Sequence, residues 1–455
     1  MHRADSRQFA FDHLHDGERW HHDIILEVDA AGDVLALRPR SPEESGIPTI
    51  EGWAVPGMPN LHSHSFQRAM AGFSEYRRRS KDSFWTWREL MYRLAGSLTP
   101  EQVQVIARHL YIELLEAGYT AVCEFHYLHN DRDGRTYENP AELCERHLRA
   151  AEDTGIGLTL LPVLYQRGGF RDQPLGDHQR RFHCATADYL DLLTRLASTR
   201  SGQVQIGSAF HSLRAVDETA MREVLGGLGP EAPIHIHIAE QQTEVADCLA
   251  VTGQRPVDWL LERFPVDRGW VLIHATHLDD AECEGIASTG AVAGLCPTTE
   301  ANLGDGLFPL ASFLRHGGTL GIGSDSHVSV SPIEELRWLE YGQRLTSQRR
   351  IIACRGSHTH VGDFLWTAAL AGGGAATGRP VGRLVSGHRA DLVVLRTSPR
   401  EMDPAFLFDR MIFADRGAAV DRVMVGGKWV VQDGRHADRE QARSAFETIL
   451  AELAL

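Results

Sequence analysis

From about residue 99 to residue 375, apolar runs of strand length alternate with segments of helix length, and one further apolar run ends at His62. The runs are rich in Val, Ile and Leu without strict alternation, which is typical of parallel strands covered on both faces. The eight strand–helix steps predict a closed (β/α)8 TIM barrel, an α/β fold whose chemistry lies at the C-terminal strand ends. Besides the run into His62, the predicted strands are 119–127, 155–165, 203–213, 233–240, 269–277, 291–298 and 319–325. The predicted helices include 100–117, 141–154, 216–225, 281–288 and 333–345.

The two ends of the chain have a different pattern, in which short apolar stretches are separated by turns. Residues 24–38 predict a hairpin that turns near Gly32, and residues 382–395 and 421–434 predict further short strands. We therefore expect residues 1–55 and 380–455 to form one small, discontinuous β-sandwich domain. Residues 56–379 are expected to form the barrel.

Composition is ordinary for a soluble globular protein, with 43% apolar and 24% charged residues in a chain of 455. No apolar run reaches the roughly 18 residues of a membrane span, and the start lacks the apolar core of a signal peptide. The sequence therefore predicts a cytoplasmic protein. Its formal charge of −15 disfavours nucleic acid and anionic membranes as partners. The seven dispersed cysteines form no C-x-x-C pair, which argues against disulfides and a thiolate zinc site.

Histidines follow the predicted strands at the end where a barrel carries its chemistry. His62 and His64 form an H-x-H pair that alternation along a strand places on one face, so both imidazoles can bind one divalent ion. His237 closes the fifth predicted strand, His274 the sixth and Asp325 the eighth. Three neutral imidazoles, a carboxylate and a water would complete a hydrolytic zinc site with one exchangeable position.

Each of these residues also has a structural interpretation. His235 and His237 lie on opposite faces of their strand, and we favour His237 because Glu240 follows it by three residues. On its own, His274 is more typical of a hydrogen-bonded core imidazole, and Asp325 is equally typical of a helix or turn cap. Taken together, these structural interpretations are disfavoured, because they require several independent coincidences at the same end of one barrel.

The same residues resemble a known superfamily. Pro56-Gly-Met-Pro-Asn-Leu-His-Ser-His, His237 with Glu240, His274 and Gly323-Ser-Asp-Ser-His resemble the amidohydrolase superfamily, in its single-metal deaminase branch, over nearly the whole chain. More narrowly, four stretches resemble the formimidoylglutamate deiminases of histidine degradation. They are Phe84-Trp-Thr-Trp-Arg-Glu-Leu-Met-Tyr, Glu124-Phe-His-Tyr, Phe210-His-Ser-Leu-Arg-Ala and Thr299-Glu-Ala-Asn-Leu-Gly-Asp-Gly.

This resemblance implies a set of site residues and a cofactor. One zinc ion per chain is expected, with Fe²⁺ or Mn²⁺ as alternatives, and the resemblance also implies a homodimer. The implied metal ligands are His62, His64, His237 and Asp325. The implied catalytic residues are Glu240, His274 and Asp325, and the implied substrate-binding residues are Gln67, Arg88, Tyr127, His211 and Arg214.

The expected reaction is hydrolysis of N-formimino-L-glutamate to N-formyl-L-glutamate and ammonia, with metal-bound hydroxide attacking the formimino carbon. Because this small anionic amidine has two carboxylates, an acidic protein needs arginines placed close to them. Arg214 follows His211 at the fourth strand end, and Arg88 lies after the first strand. Three structural alternatives stay open: Arg88 as a surface helix residue, Tyr127 as rim packing and Gln67 as a first-turn residue.

Two other functions stay open. Another deaminase of the same branch, acting on guanine or a related neutral ring, would not need two arginines. A non-catalytic scaffold of the same fold would be free to lose metal ligands, and this sequence retains every expected group.

Overall fold

The structure is a computed structural model, and it describes residues 6–76, 84–229, 232–356, 358–396, 403–414 and 419–453. Within these ranges the chain forms 17 β-strands and 14 α-helices. The strands are β1 (Arg7–His15), β2 (Trp20–Val28), β3 (Val34–Pro39), β4 (Thr49–Pro56), β5 (Met58–Ser63), β6 (Tyr119–His126), β7 (Gly157–Leu164), β8 (Val204–Ile206), β9 (Ser208–Ser212), β10 (Ile234–Ile238), β11 (Trp270–His274), β12 (Val292–Leu295), β13 (Thr319–Ile322), β14 (Leu392–Arg396), β15 (Ala419–Val425), β16 (Lys428–Gln432) and β17 (Arg435–His436). The helices are α1 (Phe84–Ser97), α2 (Pro100–Ala117), α3 (Glu142–Thr154), α4 (Thr186–Leu196), α5 (Glu218–Gly227), α6 (Gln242–Thr252), α7 (Pro256–Arg263), α8 (Asp280–Thr289), α9 (Pro297–Leu303), α10 (Leu310–Arg315), α11 (Pro332–Ser347), α12 (Val361–Thr377), α13 (Leu407–Phe413) and α14 (Arg439–Leu453).

The central sheet is the predicted barrel. Strands β5, β6, β7 and β9 to β13 pair in parallel in chain order, and the short β8 pairs with β7. The ring closes where the chain beyond β13 meets the end of β5. There the N–H of Asp325 donates to the carbonyl of His62 at 3.0 Å, and the N–H of His64 donates to the carbonyl of Asp325 at 3.1 Å. The (β/α)8 prediction is confirmed.

The predicted strands run too far at their C-terminal ends. The fifth, sixth and seventh end at Ile238, His274 and Leu295, several residues before their predicted limits. After β10 and β11 the backbone leaves the sheet through left-handed conformations, with φ of +51° at Ala239 and +48° at Ala275. Such turns end the hydrogen-bonded pairing of the strands, although the sequence pattern predicts that the strands continue. The predicted strand 203–213 is also wrong in part, because Gly207 separates β8 from β9.

The predicted helix 100–117 coincides with α2. Thr99 caps its first turn by accepting from the N–H of Gln102, whose side chain returns a bond to the backbone of Thr99. Pro100 suits the first helical position, where no N–H is needed. The helix ends at Gly118, whose φ of +98° is the left-handed conformation common after a helix.

Both ends of the chain contribute to a second sheet, as predicted. Its strand order is β17-β16-β15-β14-β4-β1-β2-β3, antiparallel except for the parallel pair β1 and β4. The hairpin of β2 and β3 turns at Gly32, where φ is +92°. The predicted strand at 382–395 forms only at Leu392–Arg396. The domain boundaries at residues 55 and 380 stay a prediction, since β4 leads into β5 through one residue.

Helix α12 covers the seam at which the barrel closes. It packs against β13 and β5, the two strands on either side of that seam. At Gly372 a Cβ atom would lie 1.9 Å from the carbonyl oxygen of Leu320, so only a residue without a side chain lets the helix approach. In the part of the chain that is described, no helix is both long and apolar enough to cross a membrane.

We expect Gly372→Ala to lower the free energy of unfolding by about 1–3 kcal/mol, because the added methyl group pushes α12 away from the seam. Gly226→Ala is the matched control, since this helical glycine has no atom within 4 Å of the added Cβ. The control should be neutral or slightly stabilising, as alanine favours a helix by about 1 kcal/mol over glycine. Thermal denaturation of both variants measures the difference, and equal midpoints would contradict the close approach.

Candidate active site

The H-x-H pair lies where β5 meets the closing seam. His62 and His64 are both buried, and their rings meet at a centroid distance of 4.6 Å. The Nε2 atoms of His62 and His64 lie 3.5 Å and 3.4 Å from the same oxygen of Asp325, Oδ1. His64 donates from Nδ1 to the carbonyl of Phe125 at 2.9 Å, which leaves its Nε2 as a free lone pair.

His237 brings a third imidazole from β10. Its Nε2 lies 3.0 Å from the Nε2 of His62, and its Nδ1 donates to the carbonyl of His211 at 2.9 Å. His235 lies on the other face of the strand, where its Nε2 bonds to the carbonyl of Ala376 in α12 at 2.9 Å. Of the two histidines in this strand, His237 is therefore the one that lies with the H-x-H pair.

The donor set fits a small divalent cation. The three imidazoles offer Nε2 atoms within 4.8 Å of one another. Burial, with repulsion from neighbouring imidazoles, lowers the pKa of His62 and of His237 well below the usual range, and burial lowers the pKa of His64 to about 3. Around a tetrahedral ion with bonds of 2.0–2.2 Å, neighbouring ligand atoms lie about 3.3 Å apart. The observed separations of 3.0, 3.4 and 3.5 Å agree with that value.

Glu240 and His274 flank the donor set. The Nε2 atom of His274 lies 3.9 Å from Oε1 of Glu240 and 3.8 Å from Oδ2 of Asp325. Burial alone would lower the pKa of His274, yet the charges of Glu240 and Asp325 and a bond to Glu300 raise it to about 10. His274 thus lies between two carboxylates at the edge of the donor set.

Glu300 has no role in the sequence prediction, although it lies in one of the stretches that carry the resemblance. Its Oε1 atom is 3.3 Å from Nδ1 of His274 and accepts from the N–H of Cys296 at 2.9 Å. The carboxylate is buried in α9. By accepting from Nδ1, Glu300 fixes the ring of His274 so that Nε2 faces the cavity.

Glu124 is a second residue that the sequence prediction leaves without a role. It is buried on β6, accepts from Ser63 Oγ at 2.6 Å and from the N–H of Ser65 at 2.8 Å. These two bonds hold the backbone on both sides of His64. His327 supports the same turn, with Nε2 at 3.0 Å from Ser63 Oγ.

A cavity extends from the donor set toward α1 and the segment after β9. All five predicted substrate-binding residues line it, together with Glu240 and His274. Gln67 donates from Nε2 to the hydroxyl of Tyr127 at 3.0 Å, and His211 packs edge-on against Tyr165 at a centroid distance of 4.5 Å. The lining residues are His64, Gln67, Phe84, Trp87, Arg88, Met91, Tyr92, Tyr127, Tyr165, Phe182, His211, Arg214, His237, Glu240, His274, Leu303 and Asp325.

Arg214 is one of two arginines that line this cavity. Among the described residues its guanidinium makes no hydrogen bond and no ion pair. Burial alone would lower the pKa of Arg214, but the charges of Glu244 and Glu240 outweigh it and raise the pKa. A charged guanidinium without a close partner, facing a cavity, is suited to bind an anionic group of a ligand.

Comparison with known proteins agrees with this fold and site. Residues 53–430 match the model of the amidohydrolase family. The chain therefore belongs to the amidohydrolase family, and it is a hydrolase, as its sequence predicts. The family and the donor set together support a metal cofactor.

Individual relatives make the similarity more specific. The chain is 53% identical over 440 residues to the formimidoylglutamate deiminase of Pseudomonas aeruginosa, an alignment that covers 96% of this chain and 97% of the relative. A crystal structure of an amidohydrolase from Brucella melitensis is 41% identical, with a TM-score of 0.94 and coverage of 99% and 100%. An adenosine deaminase from Xanthomonas campestris, solved with bound zinc, shares only the fold, at 20% identity, a TM-score of 0.77 and coverage of 97% and 98%.

We expect His237→Asn to lose most of the bound metal, because it removes one of the three imidazoles that converge. His235→Asn is the matched control from the other face of the same strand, and it should retain the metal. Elemental analysis of both proteins, purified without chelators, gives ions per folded chain. Equal metal content in the two variants would contradict the ligand set.

Proposed function

We propose that this chain is a zinc-dependent iminohydrolase that converts N-formimino-L-glutamate and water to N-formyl-L-glutamate and ammonia, a step of histidine degradation. The observation that carries the proposal is the guanidinium of Arg214, which has no hydrogen-bond or ion-pair partner among the described residues and lines the same cavity as the metal ligands. The identity of 53% to a formimidoylglutamate deiminase supports the same reaction. Arg88 lines this cavity as well, so it carries a second guanidinium beside that of Arg214.

We infer that one zinc ion is held by His62, His64, His237 and Asp325. Three imidazoles and one carboxylate are a donor set that favours zinc over harder cations, which prefer oxygen ligands. The carbonyls of Phe125 and His211 fix the rings of His64 and His237 from behind, as is usual for zinc-bound imidazoles. When bound, such an ion supplies Lewis acidity and lowers the pKa of water toward about 7.

The protein side chains then move protons between water and the leaving nitrogen. Glu240 is suited to protonate the imine nitrogen, which makes the formimino carbon a better electrophile. His274, held by Glu300, stabilises the oxygen that adds to this carbon. Water contributes the formyl oxygen, the C–N bond to the terminal nitrogen breaks, and that nitrogen leaves as ammonia. No nucleophilic side chain is required.

A deaminase of neutral rings is the nearest alternative, and the two arginines argue against it. A ring such as guanine has no carboxylate, so a guanidinium at the cavity wall would lose its hydration without gaining an ionic partner. A non-catalytic scaffold is disfavoured by the retention of the whole donor set and by the similarity to named enzymes. A homodimer and a cytoplasmic location belong to the same proposal.

We expect the metal-loaded protein to release ammonia from N-formimino-L-glutamate and to act far more slowly on guanine. Both rates are measured with the same ammonia assay, at equal metal content. Removal of the ion by a chelator should abolish turnover, and addition of zinc should restore it. Faster turnover of guanine would reject the proposed substrate.

We expect Arg214→Met to lower kcat/KM for N-formimino-L-glutamate by about tenfold or more, because a hydrogen bond to a charged group contributes about 1.5–3 kcal/mol. Arg222→Met is the matched control, since Arg222 lies on the exposed face of α5 and pairs with Glu218 at 2.7 Å. Metal content should stay unchanged in both variants. A loss of the same size in the control, or none in Arg214→Met, would contradict the role of Arg214 as a carboxylate ligand.

A further inference from the structure

Two tyrosines and a glutamine form a buried cluster at the wall of the cavity. Tyr92 lies on α1 and Tyr165 directly follows β7, and both line the cavity. Gln179 lies behind them, in the short helical turn Asp177–Phe182. All three side chains are at most 8% exposed.

Gln179 is held in one orientation. Its Oε1 atom accepts from the N–H of Gly176 at 2.9 Å, so its Nε2 must face the tyrosines. Nε2 donates to the hydroxyl of Tyr165 at 2.8 Å and to the hydroxyl of Tyr92 at 3.2 Å. Both hydrogens of the amide are thereby used on the oxygens of the two hydroxyls.

Each of the two hydroxyls therefore keeps its own hydrogen to donate. A hydroxyl has a single hydrogen to give, and here each oxygen already accepts from Gln179. Burial raises the pKa of Tyr165 above its usual range, so the proton stays on the oxygen. The hydroxyls of Tyr92 and Tyr165 interact with each other, and within the described residues neither bonds to any other acceptor. Because only one of the two can donate to the other, at least one hydrogen is left for a ligand.

The same wall carries the two cations of the cavity. The guanidinium of Arg88 lies 5.4 Å from the centre of the Tyr92 ring. The charges of Arg214 and Arg88 both act on the hydroxyl of Tyr165. This wall thus combines hydroxyl donors with guanidinium donors.

We propose that Tyr92 and Tyr165, oriented by Gln179, complete with Arg88 and Arg214 a donor-rich subsite that binds one carboxylate of the substrate. This inference rests on the proposed function and names further residues that would select a substrate with a carboxylate. A carboxylate has acceptors alone and suits such a wall, whereas the NH2 group of a carboxamide would face donors. In this scheme the two tyrosines bind substrate, and Gln179 is a positioning residue.

The test measures binding of three product analogues to the metal-loaded protein by isothermal titration. N-formyl-L-glutamate has both carboxylates, N-formyl-L-norvaline lacks the side-chain carboxylate, and 4-formamidobutanoate lacks the α-carboxylate. Tyr165→Phe should weaken binding of N-formyl-L-glutamate by about tenfold, as expected for a lost bond to a charged acceptor. It should weaken the binding of one of the two monocarboxylates by the same factor and leave the binding of the other unchanged.

A matched control is Tyr189→Phe. Tyr189 is also buried, but its hydroxyl bonds to the carbonyl of Pro162 and to Ser208, and it is not among the cavity-lining residues. This variant should leave the three dissociation constants in their original ratio. Equal weakening of all three ligands by Tyr165→Phe, or no weakening of N-formyl-L-glutamate, would overturn the subsite.

Gln179→Glu tests the positioning role. A carboxylate at this position would accept the tyrosine hydrogens and turn both hydroxyls away from the ligand. We expect KM for N-formimino-L-glutamate to rise about tenfold with little change in kcat. An unchanged KM would overturn the role of Gln179. Because the titrations do not depend on turnover, a parent protein that binds the product analogues but fails to hydrolyse the amidine would overturn only the proposed function.

Discussion

The closing seam of the barrel is the constraint on which the rest of the site depends. Two backbone hydrogen bonds tie Asp325 to His62 and His64. The same pair of bonds closes the sheet and sets the distance from the carboxylate to the imidazoles. Glu124, on the neighbouring strand, holds Ser63 and the N–H of Ser65 in the same turn. The ligand geometry therefore follows from main-chain pairing and does not depend on the chance meeting of flexible side chains.

This arrangement has an energetic consequence. Neutral imidazoles whose lone pairs converge within a few ångströms repel one another, and burial prevents them from relieving this by taking up protons. The repulsion is compensated when a cation occupies the point of convergence, so metal binding and stability of the seam are linked. The glycine at the contact of α12 with β13 fits the same picture, because the seam must be covered closely without a side chain between helix and strand.

Most of the fold and the convergence of the histidines at the barrel mouth could be predicted, because both depend on patterns local to single strands and helices. The caps of α2 fix its ends within a few residues of sequence, and His62, His64, His237 and Asp325 each follow an apolar run. The exact strand ends could not be predicted, since alanine at positions 239 and 275 gives no sequence signal for the left-handed backbone observed there.

The roles of some further residues depend on partners far away in sequence. Glu300 bonds to His274, 26 residues earlier. Glu124 bonds to Ser63 and Ser65, which lie 61 and 59 residues earlier. Gln179 lies 87 residues from Tyr92, in a segment without periodic pattern. Periodicity along the chain carries no information about such pairs, because they form only when the barrel is complete.

His211 joins the two ends of the cavity. Its carbonyl accepts from Nδ1 of His237 and so orients an imidazole of the donor set, while its ring packs against Tyr165 at the donor-rich wall. Arg214 follows three residues later, in the turn beyond the same strand. Under the proposed function, a shift of this strand end would therefore change the metal geometry and the recognition of carboxylates together. Recognition and chemistry are thus built on one short strand, which limits how far the substrate specificity can change while the metal site stays intact.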